Sequence, residues 1–158
     1  MPAPVIQLEG LGKTFPGAKR PALAGITASI HPGRVTGLVG PDGAGKTTLL
    51  RLMAGLLTPS QGRVAVKGLD PAKDAARLAP VIGYMPQKFG LYEDLTVGEN
   101  LTLHADLRGV TGPERQESFD RLLAFTDLSR FTSRLAGRLS GGMKQKLGLA
   151  CALLGQPE

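Results

Sequence analysis

The spacing of apolar residues changes character about halfway along the chain. Through Met85 the apolar positions fall in runs of strand length separated by glycine and proline, whereas beyond Pro86 they recur every three or four positions. In the first half, Val5 to Leu8 reads as a short strand that Leu11 to Phe15 continues toward a turn at Pro16, Gly17 and Pro21. Leu23 to Ile30 is a second strand, and His31, Pro32 and Gly33 turn the chain into a third, Val35 to Val39. Leu49, Leu50, Leu52, Met53, Leu56 and Leu57 then form a wide helical face that Thr58 to Gly62 stops. Arg63 to Lys67 alternates as a strand, Asp70 and Pro71 cap a short helix predicted over Pro71 to Leu78, and Val81 to Met85 is a further short apolar run.

The second half is helical. Thr96 and Glu99 make a capping box that starts a helix running toward Arg108 and ending at Gly109. Another opens at Pro113 and places Phe119, Leu122, Leu123 and Phe125 in a core. A third follows Ser140 through Leu147, Leu149, Ala150, Leu153 and Leu154, closed by Gly155 and Pro157. The organisation expected is a strand-rich part, residues 1–86, and a helical part, residues 87–158.

Composition narrows this picture. A length of 158 residues with 42% hydrophobic content suits one core with an appended helical lobe. No apolar run approaches the roughly 18 residues of a membrane span, and MPAPVIQLEG lacks the basic-then-apolar order of a signal peptide, so a cytoplasmic location is expected. Cys151 has no second cysteine to pair with and sits among Ala150, Ala152 and Leu153 as a buried helix residue. The net charge of +6 allows nucleic acid, lipid or nucleotide phosphate as partner. Aromatic residues make up only 4% and do not interleave with the basic ones, so no nucleic acid partner is expected.

Residues 40–50, GPDGAGKTTLL, add specific chemistry. Gly40, Pro41, Asp42, Gly43, Ala44, Gly45, Lys46 and Thr47 fit GxxxxGK[ST] between an apolar run and a helical pattern, the context that motif needs. Glycine backbone angles let successive N–H groups face phosphate oxygens, and the helix opening at about Gly45 adds unpaired N–H groups and a positive dipole end. Lys46 brings a charge to the β- and γ-phosphates, the Thr47 hydroxyl is a ligand for Mg²⁺, and Thr48 reaches the α-phosphate. Phe15 has two readings, core packing or a face on which adenine stacks. Gln87 also has two, a loop glutamine or an amide reaching the Mg²⁺ or the attacking water. At residues 139–145, LSGGMKQ places Ser140, Gly141 and Gly142 before a helix as a second anion-binding start.

With these residues in view, the chain resembles the ATP-binding subunits of ABC transporters along its whole length. The resemblance rests on Phe15, GPDGAGKTT at 40–48, GYMPQKFGLYEDLTVGENL at 83–101 with Gln87, and LSGGMKQ at 139–145. The wording of the last two is similar to the drug-export branch, in particular the first nucleotide-binding half of a tandem multidrug efflux subunit. It implies an α/β P-loop NTPase core of ABC type with a strand-rich N-terminal part and a helical subdomain. ATP and Mg²⁺ are the cofactors it implies, with Phe15 on the adenine and Gln87 at the metal. Two such domains would close head to tail, Ser140, Gly141 and Gly142 of one covering the nucleotide held by Gly40 to Thr48 of the other. Residues Gln87 to Tyr92 would face a membrane permease, placing the protein on the inner face of the cell membrane.

Asp42 departs from the family's usual asparagine and Met143 from its glutamine. A larger departure follows Gln156, Pro157 and Glu158, where the family continues into a strand carrying an aspartate and the catalytic glutamate. Neither Glu93, Asp94 nor Glu99 stands in that glutamate's place, and His104 has no motif around it. The expectation is a fragment that lacks Walker B and the C-terminal part of the core, binds nucleotide, does not hydrolyse it alone, and self-associates through an exposed sheet edge. Competing readings are a soluble ATPase of the same type acting on ribosomes or DNA, which lacks the coiled-coil insertion or basic aromatic arm it would need here, and a bare nucleotide-binding module.

Overall fold

Strand β1, Ile6–Lys13, is the centre of a three-stranded antiparallel sheet with β2, Leu23–Ile30, on one edge and β3, Gln61–Val66, on the other. Ile6 is opposite Ile30 and Val66, and Leu8 is opposite Ala28 and Val64, so one face of β1 collects aliphatic neighbours from both sides. Strict alternation from Leu8 would turn Leu11 outward. A bulge at Gly10, which has φ +55°, adds one residue to β1 against both partners, and Leu11 is fully buried. The Gly10 N–H leaves the ladder and donates to the Thr27 hydroxyl at 3.0 Å.

This computed structural model describes residues 2–88 and 90–157. They fall into two compact units, Met1–Leu78 and Ala79–Glu158. The first holds the sheet, helix α1, Lys46–Met53, and the short helix α2, Ala75–Leu78, around Leu8, Leu11, Leu23, Leu52, Val64 and Leu78. The second holds α3, Val97–Leu107, α4, Gly112–Thr126, and α5, Gly141–Leu153, with 3₁₀ turns at Ser129–Phe131 and Ala136–Arg138. Val97, Leu101, Leu123, Leu128, Leu147 and Leu154 are central to its core.

Several sequence expectations hold because local chemistry enforces them. Thr96 accepts from the Glu99 N–H at 3.2 Å while the Glu99 carboxylate accepts from the Thr96 N–H at 2.7 Å, so α3 starts where the capping box placed it. Its C-cap is Arg108, with Gly109 following at φ +68°. Ser140 caps α5.

Others are corrected. Val35 to Val39 is not a strand: no strand pairs with it among the described residues, Val35 is fully exposed and Val39 is 93% exposed. A continuous apolar run of this type needs neighbours on both edges and cover on both faces. Helix α1 ends before Leu57 because a Schellman motif closes it, Leu56 N–H donating to the Arg51 carbonyl at 2.9 Å and Gly55 N–H to Leu52 at 3.2 Å. The helix expected from Pro71 is only Ala75–Leu78, since the Asp70 carbonyl takes the N–H groups of both Lys73 and Asp74 in a turn. Phe125, expected in the core, is 69% exposed on α4, whereas Leu122 and Leu123 are buried.

Candidate functional site

The loop at residues 40–48 lies in the first unit. Ala44 N–H donates to the Pro41 carbonyl at 3.3 Å, closing a turn, and Gly45 then enters α1 at φ +87°. A Cβ on Gly45 would overlap the Ala22 carbonyl oxygen and stand 2.8 Å from Leu23 Cδ2, so the loop lies directly on the start of β2. Only glycine meets both the angle and the approach. Gly43 also has positive φ, +77°, but open space beside it.

Gly45 caps α1 without a side-chain hydrogen bond, and no acidic residue stands in the first turn. The opening N–H groups and the positive dipole end are therefore left without a side-chain acceptor, which is how a helix start receives an anion. Lys46 Nζ folds back over the loop and donates to the Gly40 and Pro41 carbonyls, each at 2.8 Å. An ammonium has three donors. The carbonyl pair thus positions the charge above the loop. Thr47 and Asp42 are exposed and Thr48 is half-buried. These features fit a phosphate-bearing ligand: a tight cradle that a Cβ would fill, a bare helix start, and one positioned cation.

Phe15, just after β1, is 39% exposed, with Lys13 Nζ 5.4 Å from its ring centre. Core packing, one of its two readings, is not its role here. The segment around it is fixed by Lys13 Nζ donating to the Thr58 carbonyl and Thr14 N–H donating to Ser60 Oγ.

In the second unit, Gln87 is exposed at a cavity of about 350 Å³ that it lines with Lys88, Leu91, Glu93 and Lys144. Lys144 belongs to the first turn of α5, where its N–H donates to the Ser140 carbonyl, and its Nζ reaches Glu93 at 2.6 Å. One cavity therefore joins Gln87 to the helix that Ser140 caps. Ser140 Oγ accepts from the Met143 N–H at 3.3 Å, an ordinary N-cap, which leaves its O–H free to donate. Ser140, Gly141 and Gly142 are all exposed, open to an approaching molecule.

Two contributors escaped the sequence reading. The Lys144 side chain is only 19% exposed and is bonded to Glu93, far from it in the sequence. Asn100 is fully buried: Nδ2 donates to the carbonyls of Tyr92, Leu95 and Thr96, and Oδ1 accepts the Tyr92 N–H. The signal was present, because Asn100 shares the inward face of α3 with Val97, Leu101 and Ala105, and a polar residue there must find partners.

A glycine loop of this pattern, seated against a strand and opening an uncapped helix, has the geometry of a P-loop nucleotide site. The chain belongs to the ABC transporter family, whose model matches residues 23–158. It is 65% identical over 98% of its length to the probable multidrug ABC transporter ATP-binding protein YbhF of Escherichia coli, and covers 27% of that protein. It is 38% identical over 94% of its length to ABC transporter A family member 7 of Dictyostelium discoideum, covering 18%. The chain thus spans about a quarter or less of the length of these relatives. Among solved structures it superposes with a TM-score of 0.84 on an ATP-binding subunit of an ABC transporter, at 29% identity, covering 97% of this chain and 63% of that one. The ATP-binding cassette MJ0796 bound to ADP and Pi gives 0.83 at 28% identity, covering 96% and 70%.

Proposed function

We propose that this chain is the ATP-binding part of an ABC-type efflux transporter, with Gly40 to Thr48 holding the triphosphate. The observation that carries this reading is the bare start of α1 behind Gly45, with Lys46 already held over the loop. Bound ATP with Mg²⁺ supplies the phosphoanhydride that is cleaved. Lys46 neutralises phosphate charge, the N–H groups at Gly45 to Thr48 donate to its oxygens, and Thr47 offers its hydroxyl to the metal. Phe15, part exposed, offers its face to the base, and Gln87 reports on the γ-phosphate through its amide.

Ser140, Gly141 and Gly142 act on the nucleotide of a second ATP-binding domain, in tandem or in another chain; their exposure supports this. In this reading the 158 residues bind nucleotide without completing its hydrolysis alone. The segment from Gln87 to Tyr92 docks on a membrane permease, at the inner face of the membrane. Among the described residues no helix is long and apolar enough to cross a membrane. The 65% identity to a probable multidrug transporter subunit supports export as the process served.

Equilibrium binding of labelled ATP with Mg²⁺ tests the core of this reading. Micromolar binding that Lys46→Ala weakens at least about tenfold is expected, the loss of one charge-assisted contact to phosphate. Equal binding by both proteins overturns it. Steady-state phosphate release that Lys46→Ala abolishes would overturn the statement on hydrolysis alone.

A further inference from the structure

Between Asp127 and Glu158 the chain carries Arg130, Arg134, Arg138, Lys144 and Lys146 and no acidic side chain. Lys144 is taken up by Glu93. Among the described residues, the three arginines have no ion-pair partner, whereas Arg63, Arg77 and Arg115 each have one. They are not scattered. Arg130, Phe131, Ser133, Arg134, Leu135 and Arg138 line one open groove of about 510 Å³.

The backbone under this groove is held in place. Val97 and Gly98 donate to the carbonyls of Arg134 and Thr132 at 3.0 and 2.9 Å, and Ala136 donates to the Leu95 carbonyl at 2.8 Å. The Arg134 guanidinium lies over the Phe131 ring, 4.7 Å from its centre, which orients its donor fork. Three positive groups lining one groove with no carboxylate in that lining repel one another, and a multiply charged anion relieves that repulsion. Guanidinium forks match phosphate oxygens two at a time, and a phosphate monoester brings close to two negative charges, more than one carboxylate supplies. We propose that this groove is a second anion site, additional to the loop at Gly40 to Thr48, that binds a phosphate group through Arg130, Arg134 and Arg138 with Ser133 as a hydroxyl donor.

The test uses the whole chain carrying Lys46→Ala, so that the glycine loop adds little. In one arm, pyrophosphate is titrated by calorimetry at low salt. In the other, flotation is measured with phosphatidylcholine vesicles with and without phosphatidylglycerol. Binding in at least one arm is expected, weakened about tenfold by Arg134→Gln or Arg138→Gln and changed less than about twofold by Lys146→Gln, which lies outside the groove. Pyrophosphate binding alone assigns a soluble phosphate ester, and capture by phosphatidylglycerol alone assigns a lipid headgroup. Should Arg134→Gln unfold the protein, Arg130→Gln and Arg138→Gln carry the same test. No binding in either arm overturns the proposal, as does an equal loss in Lys146→Gln, which would mark diffuse charge attraction. The outcome is independent of ATP binding, which is read with Lys46 intact.

Discussion

The side-chain amide of Asn100 holds the peptide of Tyr92 at both ends, Oδ1 accepting its N–H at 2.9 Å and Nδ2 donating to its carbonyl at 3.0 Å. This pairing ties the segment after Gln87 to the first turn of α3. Asn100→Leu keeps the volume and removes every one of these bonds, leaving inward-facing backbone groups unsatisfied. A loss of about 3 kcal/mol in unfolding free energy is expected. Urea denaturation of the two proteins checks it, and a loss below about 1 kcal/mol would show that water replaces the amide.

Gly45 and Gly43 separate two kinds of glycine requirement. Both have positive φ, but only Gly45 has a carbonyl and a leucine where its Cβ would go. Gly43→Ala is expected to cost about 1 kcal/mol from backbone strain alone, and Gly45→Ala about 3 kcal/mol or more, because β2 must move as well. Thermal unfolding of the two variants gives the order directly. Equal melting temperatures would contradict the close seat against Ala22.

Cys151 reports on the packing between α3 and α5. Burial pushes its thiol up to about 12, opposed by the Arg108 charge. The ordinary value used for the unfolded chain is 9.0, so between the two the unfolded state ionises first. The contribution to stability is fully present below about pH 9 and is lost as pH rises toward 12, with a slope approaching 1.4 kcal/mol per unit. Cys151→Ala should flatten that alkaline limb. A thiol reagent at pH 8 should react only as fast as the protein opens.

His104 acts at the other end of the pH scale. Its Nε2 is buried with no hydrogen-bond partner among the described residues. Burial lowers its pKa from 6.5; the Gly90 backbone opposes that and the nearby Arg108 charge adds to it. The unfolded chain therefore takes up a proton first, and stability falls as pH drops below 6.5 through the folded value. Partial exposure keeps the slope well under about 1.4 kcal/mol per unit. His104→Phe should remove this acid limb. An unchanged acid limb would place the sensitivity elsewhere.

Features carried by a few consecutive residues were legible in the sequence. The capping box at Thr96, the N-cap at Ser140 and the bounds of Leu23 to Ile30 come out as the residue types dictate. Each depends on hydrogen bonds between near neighbours in the chain. Asp70 followed by Pro71 misled for the same local reason: both residues favour a helix start, but the Asp70 carbonyl closes a turn and the helix begins only at Ala75. Val35 to Val39 has the composition of a buried strand, and composition alone supplies no neighbour for it.

The chain's own sequence determined that a phosphate-type loop stands between Gly40 and Thr48 and that a second serine-capped helix start follows Leu139, since glycine angles and capping hydroxyls act within a turn of backbone. Tertiary structure alone decided that Gly45 rests on Ala22, that Asn100 grips Tyr92, that Lys144 finds Glu93, and that three arginines share one groove. These are meetings of residues distant in the sequence or aimed by a particular backbone path. They depend on how whole elements pack, which no short stretch of residues encodes.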